Sequence, residues 1–175
     1  MKVIMVAVIS SDEFLTRGSD SSISRWTSVQ DKQFFADIKS EHSLLIMGRK
    51  TYESVTIKPE PGVLRLVMTR NPDRQKDSEI NGQLEFTNLS ASKIVQKYQK
   101  TYNSCLILGG GKIYEEFLKN NLVDEIYLTV EPITHGSGTP LLGSGRKLSD
   151  AIGEVKPETK ILNSEGTKLL HYVIV

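Results

Sequence analysis

Little in this 175-residue chain can serve as a covalent or metallic framework: it holds one cysteine, one tryptophan and three histidines. A disulfide scaffold is excluded, and the histidines and Cys105 show no metal-ligand spacing, so no metal site is expected. Cys105 lies in an apolar run and reads as core filling rather than as a reactive thiol. An excess of charge is missing too. Lys and Arg number 22 against 21 Asp and Glu, a formal net charge of +1, which gives no reason to expect nucleic acid or an anionic membrane as partner. No apolar run approaches transmembrane length. Residues 3–9 are apolar, but only Lys2 precedes them and Ser10-Ser11-Asp12-Glu13 follows at once, so they are expected to form a first strand rather than a signal segment. The expectation is a soluble, cytoplasmic single domain over residues 1–175, large enough to bury a core and a cleft without staples.

What is present begins with Gly109-Gly110-Gly111-Lys112-Ile113-Tyr114, directly after Cys105-Leu106-Ile107-Leu108. A buried strand ending in glycines, followed by a helical pattern at Ile113, Tyr114, Phe117 and Leu118, presents backbone N–H groups at a helix N-terminus. Phosphate oxygens bind well there. A lone glycine triplet can equally be a turn that needs positive φ, so the rest of the chain must decide.

Strand-length apolar runs alternate with helical patterns. Residues 3–9, 43–47, 64–68, 105–108 and 125–130 read as strands; 28–39, 50–55 and 90–100 read as helices, the last with Ser90 as N-cap. Near-continuous Val/Ile/Leu strands between helices predict an α/β fold of three layers, with a mostly parallel central sheet and helices on both faces. Residues 159–162 and 167–174 flank Asn163-Ser164-Glu165-Gly166, which predicts a C-terminal antiparallel hairpin. Residues 71–83 and 131–149 read as polar loops.

Ligands of open parallel sheets bind at the C-terminal strand ends. There the chain places Gly48-Arg49-Lys50-Thr51 and Thr69-Arg70. Singly, each cation is adequately explained as a solvated rim. Three cations and two hydroxyls beside a phosphate-type turn point to a ligand with several phosphates, including an extra monoester of the kind carried on the ribose of NADP. Asp31 adds a different chemistry. Ser28-Val29-Gln30-Asp31 has capping-box spacing, which would make Asp31 a helix-start residue. Yet Asp31, Phe34, Phe35 and Ile38 fall at i, i+3, i+4 and i+7, on one apolar face. A carboxylate there is costly unless a ligand with N–H donors meets it.

These residues carry a resemblance. Val6-Ala7-Val8, Trp26 followed by Asp31 with Phe34-Phe35, the Ile46 to Ser54 segment with Met68-Thr69-Arg70, and Leu106 to Leu118 with Tyr127-Leu128-Thr129 resemble, in order, the motifs of the dihydrofolate reductases. The resemblance implies NADPH-dependent hydride transfer to C6 of dihydrofolate, with N5 protonated through water. Asp31 would hold the 2-amino group and N3 of a pteridine, with Trp26 ordering a water beside it and Tyr114 edging the nicotinamide. Val6, Ala7, Val8, Phe34, Phe35, Leu108 and Thr129 would line the substrate site. Ala7, Gly48, Thr51, Met68, Leu108, Gly109, Gly110, Gly111, Lys112, Ile113 and Tyr114 would meet the cofactor, with Arg49, Lys50, Thr69 and Arg70 around its 2′-phosphate. The partner is a pterin or folate, and the protein a monomer or homodimer.

Three departures stand out. Val63 follows Pro61-Gly62 where the family usually has an arginine that clamps the glutamate tail; Arg65, two residues on and on the same strand face, is the candidate substitute. The segment from Glu13 to Asp20, expected as the lid over the nicotinamide, is longer than in typical bacterial members. Residues 131–142 and Trp26-Thr27-Ser28 are more similar to the pyrimidine reductases of riboflavin synthesis. Reduction of a phosphoribosyl aminopyrimidine, or of another pterin, is therefore the alternative, and a non-catalytic nucleotide-binding module a distant third.

Overall fold

The computed structural model describes residues 1–20 and 22–174. Strands β1 (Lys2–Ser10), β2 (Leu44–Gly48), β3 (Leu64–Met68), β4 (Leu84–Thr87), β5 (Ser104–Ile107), β6 (Glu125–Glu131), β7 (Glu158–Ile161) and β8 (Lys168–Val173) form one sheet in the order β4-β3-β2-β5-β1-β6-β8-β7. Neighbours are parallel from β4 through β6; β8 runs antiparallel to both β6 and β7. The expected parallel sheet with a C-terminal hairpin is what forms.

Alternation along each strand divides the helices between two faces. Val3, Met5, Ala7, Leu44, Ile46, Leu64 and Leu66 point to a large core covered by α3 (Ala91–Tyr98), α4 (Gly111–Lys119) and α5 (Leu148–Ile152). Ile4, Val6, Leu45 and Leu106 point the other way, to α1 (Val29–Ser40) through Phe34 and Ile38, while Met47 and Val67 meet Tyr52 of α2 (Arg49–Glu53). Phe117 of α4 is fully buried, and Phe117→Ala would cost about 3–5 kcal/mol through lost burial and the cavity left behind.

Four local features differ from the sequence expectations. The chain after the turn of 3-10 helix at Pro72–Ser78 adds an edge strand, β4, whose Leu84 and Phe86 are buried. Its four residues are too few for periodicity to register. The helix starting after Ser90 ends at Tyr98, not at Lys100, and the Ser90 hydroxyl makes no cap; Glu116 of α4 accepts the Ala91 N–H instead, at 2.8 Å. The short helix begins at Arg49 and ends at Glu53. Residues 131–149 are more than a polar loop: Leu141 and Leu142 are core, and α5 begins at Leu148.

Candidate active site

The C-terminal ends of β1, β2, β3, β5 and β6 lie on one side of the sheet. β1 pairs with β5 only from Lys2↔Ser104 to Met5↔Ile107, whereas its pairing with β6 runs on to Ser10↔Glu131. Beyond Met5 the sheet parts. The backbone of Val6, Ala7 and Val8 forms one wall of the cleft, and Leu108 with the glycine turn forms the other. The buried Tyr114 hydroxyl donates to the Val6 carbonyl at 2.6 Å and so ties the walls together. Burial pushes this phenol above its ordinary pKa, keeping it a neutral donor.

The glycine turn is shaped by close approach. Gly109 sits at φ +103, and a Cβ there would lie 3.0 Å from the Tyr114 hydroxyl. A Cβ on Gly48 would meet Ile113 Cγ1 at 3.0 Å, and one on Gly111 would meet the Pro140 carbonyl at 2.7 Å. The Gly48 N–H donates to the Gly109 carbonyl at 2.7 Å, joining the end of β2 to the turn. Gly110 is the N-cap of α4 and, lacking a side chain, leaves the helix start without a side-chain cap. That exposes first-turn N–H groups where the helix dipole favours an anion. Around this turn stand Thr51, whose hydroxyl lies 3.4 Å from where a Gly110 Cβ would be, and the end of β3 with buried Met68 and half-buried Thr69. Lys50, Arg70 and Lys112 are exposed. Arg49 is also exposed, but its guanidinium engages both oxygens of Glu53, at 2.6 and 2.7 Å. The arrangement suits a pyrophosphate at the turn and an outlying phosphate at the cationic rim.

Asp31 occupies the opposite wall. It lies in the first turn of α1 and is 7% exposed. Half of the expected capping box forms: the Ser28 hydroxyl accepts the Asp31 N–H at 3.2 Å. The other half does not, because the Ser28 N–H donates to Glu131 at 2.6 Å. The Asp31 carboxylate is thus free of the helix end, with the Thr129 hydroxyl as its hydrogen-bonding neighbour. Burial pushes it up to about 6; the Thr129 hydroxyl works against that, the charge of Glu131 with it, and Lys32 against it. Among the described residues no ion pair reaches it. Of its predicted helix-face companions, Ile38 is buried and Phe34 half-buried against Tyr127, while Phe35 stands 37% exposed at the rim. Trp26 follows the short 3-10 turn Ile23–Arg25 and packs edge-on against His135 at 4.7 Å, its buried Nε1 without a hydrogen-bond partner.

Arg65 is set apart from this group. It is buried on β3, on the same sheet face as α1, and its Nη2 pairs with Glu60 at 3.1 Å while Nη1 has no partner. The segment expected as a lid is tethered: Ser11, Leu15 and Gly18 donate backbone N–H groups to Ile133, Thr139 and Ser137. Asp12 accepts from His135 N and Gly136 N.

The residue that the sequence reading passed over is Glu131, 3% exposed at the end of β6. Its signal was available: two positions after Thr129, it must share that residue's sheet face.

Comparison with known proteins bears on the family and the fold. The dihydrofolate reductase family profile matches residues 3–137. A Caenorhabditis elegans protein provisionally named a dihydrofolate reductase is 34% identical over 116 residues, 59% of this chain and 59% of its own length. The Bacillus subtilis protein YwjB is 30% identical over 150 residues, 79% of this chain and 78% of its own. Among solved structures, a Shewanella sp. PV-4 protein provisionally assigned to riboflavin biosynthesis superposes with TM-score 0.70 at 21% identity, covering 99% of this chain and 98% of its own. Dihydrofolate reductase from Enterococcus faecalis, complexed with NADP(H) and RAB-propyl, gives 0.68 at 17%, covering 98% and 95%. At such identities the superpositions establish the fold. The profile match, spanning most of the chain, establishes more: this protein belongs to the dihydrofolate reductase family.

Proposed function

We propose that the protein is an NADPH-dependent reductase whose substrate is 7,8-dihydrofolate. The reductases of the family are NADP-dependent oxidoreductases, and the cleft residues fit that cofactor. Gly109, Gly110 and the start of α4 would hold the pyrophosphate, because the missing side chains let it reach the helix N–H groups. Lys50 and Arg70, with Arg49 if it leaves Glu53, would meet the 2′-phosphate. When bound, NADPH supplies the hydride. The backbone of Val6, Ala7 and Val8 would meet the ring that receives it at C6, and Tyr114, bonded to the Val6 carbonyl, ties the walls together. The proton needed at N5 would come from water, and the buried, unpartnered Trp26 Nε1 is the candidate donor to it.

The observation that carries the substrate reading is Asp31. A buried carboxylate without a cation, facing a cleft, is stabilised by a ligand that brings two N–H donors, as the 2-amino-4-oxo edge of a pteridine does. A protonation midpoint near neutrality also lets its charge respond to that ligand.

One observation favours a second reading. Arg65, the candidate clamp for a glutamate tail, already holds Glu60. A substrate without an anionic tail, a smaller pterin or an aminopyrimidine ribosyl phosphate, would not need it. Following NADPH oxidation at 340 nm with dihydrofolate, a tail-less dihydropterin and the aminopyrimidine in parallel tests both readings. Turnover highest with dihydrofolate supports the first; turnover confined to either of the others rejects it.

A further inference from the structure

Glu131 does something the capping pattern of α1 leaves unexplained. Its Oε1 accepts the Ser28 N–H at 2.6 Å, and its Oε2 accepts the Thr167 hydroxyl at 2.7 Å. The Thr167 hydroxyl in turn accepts from Asn163 Nδ2 at 2.9 Å, and Asn163 reaches Gln30 Oε1 on α1 at 3.2 Å. One buried carboxylate therefore joins the end of β6, the first turn of α1 and the loop between β7 and β8.

The Ser28 N–H is the donor that a capping-box residue three positions on ordinarily satisfies with its own side chain. That residue is Asp31. With Glu131 already on the Ser28 N–H, Asp31 has no reason to fold back over the helix end, and its carboxylate projects into the cleft. We propose that Glu131 is a positioning residue for substrate binding: by taking the Ser28 N–H from across the sheet, it keeps the Asp31 carboxylate turned toward the ligand. This rests on Asp31 being the ligand-binding carboxylate.

A second consequence is electrostatic. The groups acting on Asp31 are the Thr129 hydroxyl and Glu131 from β6, and Lys32 from its own helix. Lys32 is exposed and screened; Glu131 is buried, and its charge makes Asp31 harder to ionise. Glu131 thus turns Asp31 toward the ligand and adds to the rise that burial imposes on its midpoint.

Two variants separate these effects. Glu131→Gln retains an oxygen for the Ser28 N–H and removes the charge; Glu131→Ala removes both. The readout is the pH titration of the Asp31 carboxyl carbon by NMR, in protein without ligands, alongside kcat/KM for the reductase reaction. In Glu131→Gln the Asp31 midpoint is expected to fall by about half to one pH unit, with KM for the pterin rising less than in Glu131→Ala. In Glu131→Ala the Ser28 N–H recruits Asp31, so the midpoint falls further and KM for the pterin rises roughly tenfold, with NADPH affinity retained. An Asp31 midpoint and a KM for the pterin that both stay at their wild-type values in Glu131→Ala overturn the proposal, whatever happens to melting temperature. Because the titration needs no substrate, a wild-type protein that ignores dihydrofolate but shows the shifted midpoints would refute the reaction and leave the role of Glu131 standing.

Discussion

Asp12 and Asp31 both lie beside the open end of the sheet, and their surroundings drive them in opposite directions. Asp12 accepts the Ser10 hydroxyl at 2.6 Å, the Gly136 N–H at 2.7 Å and the His135 N–H at 3.1 Å. The Ser10 hydrogen bond above all, helped by those backbone donors against partial burial, holds its carboxyl at about 2. Asp31 is the more deeply buried and meets fewer such donors, the Thr129 hydroxyl chief among them, so burial lifts it to about 6. A carboxylate saturated by its own chain is a structural fastener, here tethering the 11–18 segment to the strand-end loop 133–139. One left short of donors destabilises the fold until something else supplies them. That contrast separates scaffold from site more sharply than acidity or burial alone.

The comparison can be broken at either residue, most severely at Asp31. Asp31→Asn keeps the shape and removes the charge, so kcat/KM should fall about a hundredfold or more, the loss of roughly 2–4 kcal/mol of charge-assisted pairing. NADPH affinity should survive, since the turn and the cationic rim lie on the other wall. Near-normal turnover would return Asp31 to the helix start. On the cofactor wall, Gly109→Ala forces a side chain into φ +103 and onto the Tyr114 hydroxyl; strain of order 1–3 kcal/mol should weaken NADPH binding about tenfold or more and lower the melting temperature. An unchanged NADPH dissociation constant would detach the turn from the cofactor.

At Asp12 the effect is on stability, and its sign is set by pH. Its folded pKa lies below the ordinary value, so its contribution is present above about pH 4 and is lost as pH falls toward 2. Asp12→Asn should lower the melting temperature at pH 7 and blunt its decline in acid; equal acid sensitivity in both proteins would contradict the fastener role. Smaller still, Arg65→Ala should raise KM for dihydrofolate severalfold if Arg65 exchanges Glu60 for the substrate tail. An unchanged KM would favour a tail-less substrate.

Sequence alone exposed one aspartate and hid the meaning of the other. Asp31 was visible because helical periodicity places it with Ile38 on the buried face. Asp12 looked like one acid in a polar turn, since its two backbone donors, His135 and Gly136, lie more than a hundred residues away. The glycine turn was legible from composition, but its close contacts with Tyr114 and Pro140 were not. Glu131 was obscured by Pro132 and the loop beyond it, although strand alternation from Thr129 already assigned its face. Partners distant in sequence are what local patterns omit.

In the protein without ligand the Asp31 carboxylate is short of partners: the Thr129 hydroxyl acts on it, and among the described residues no ion pair reaches it. The most direct test is the melting temperature of wild type and Asp31→Asn, without ligand, from pH 4 to pH 7.5. A carboxyl raised from 3.8 to about 6 binds more protons folded than unfolded in that interval, so it subtracts stability as pH rises. The full difference is of order 3 kcal/mol, several degrees for a chain of this size. The two proteins should melt close together at pH 4, and the asparagine variant should become progressively the more stable, levelling off above about pH 6.5. A wild type that gains on the variant as pH rises would show instead that Asp31 already has its partners within the fold.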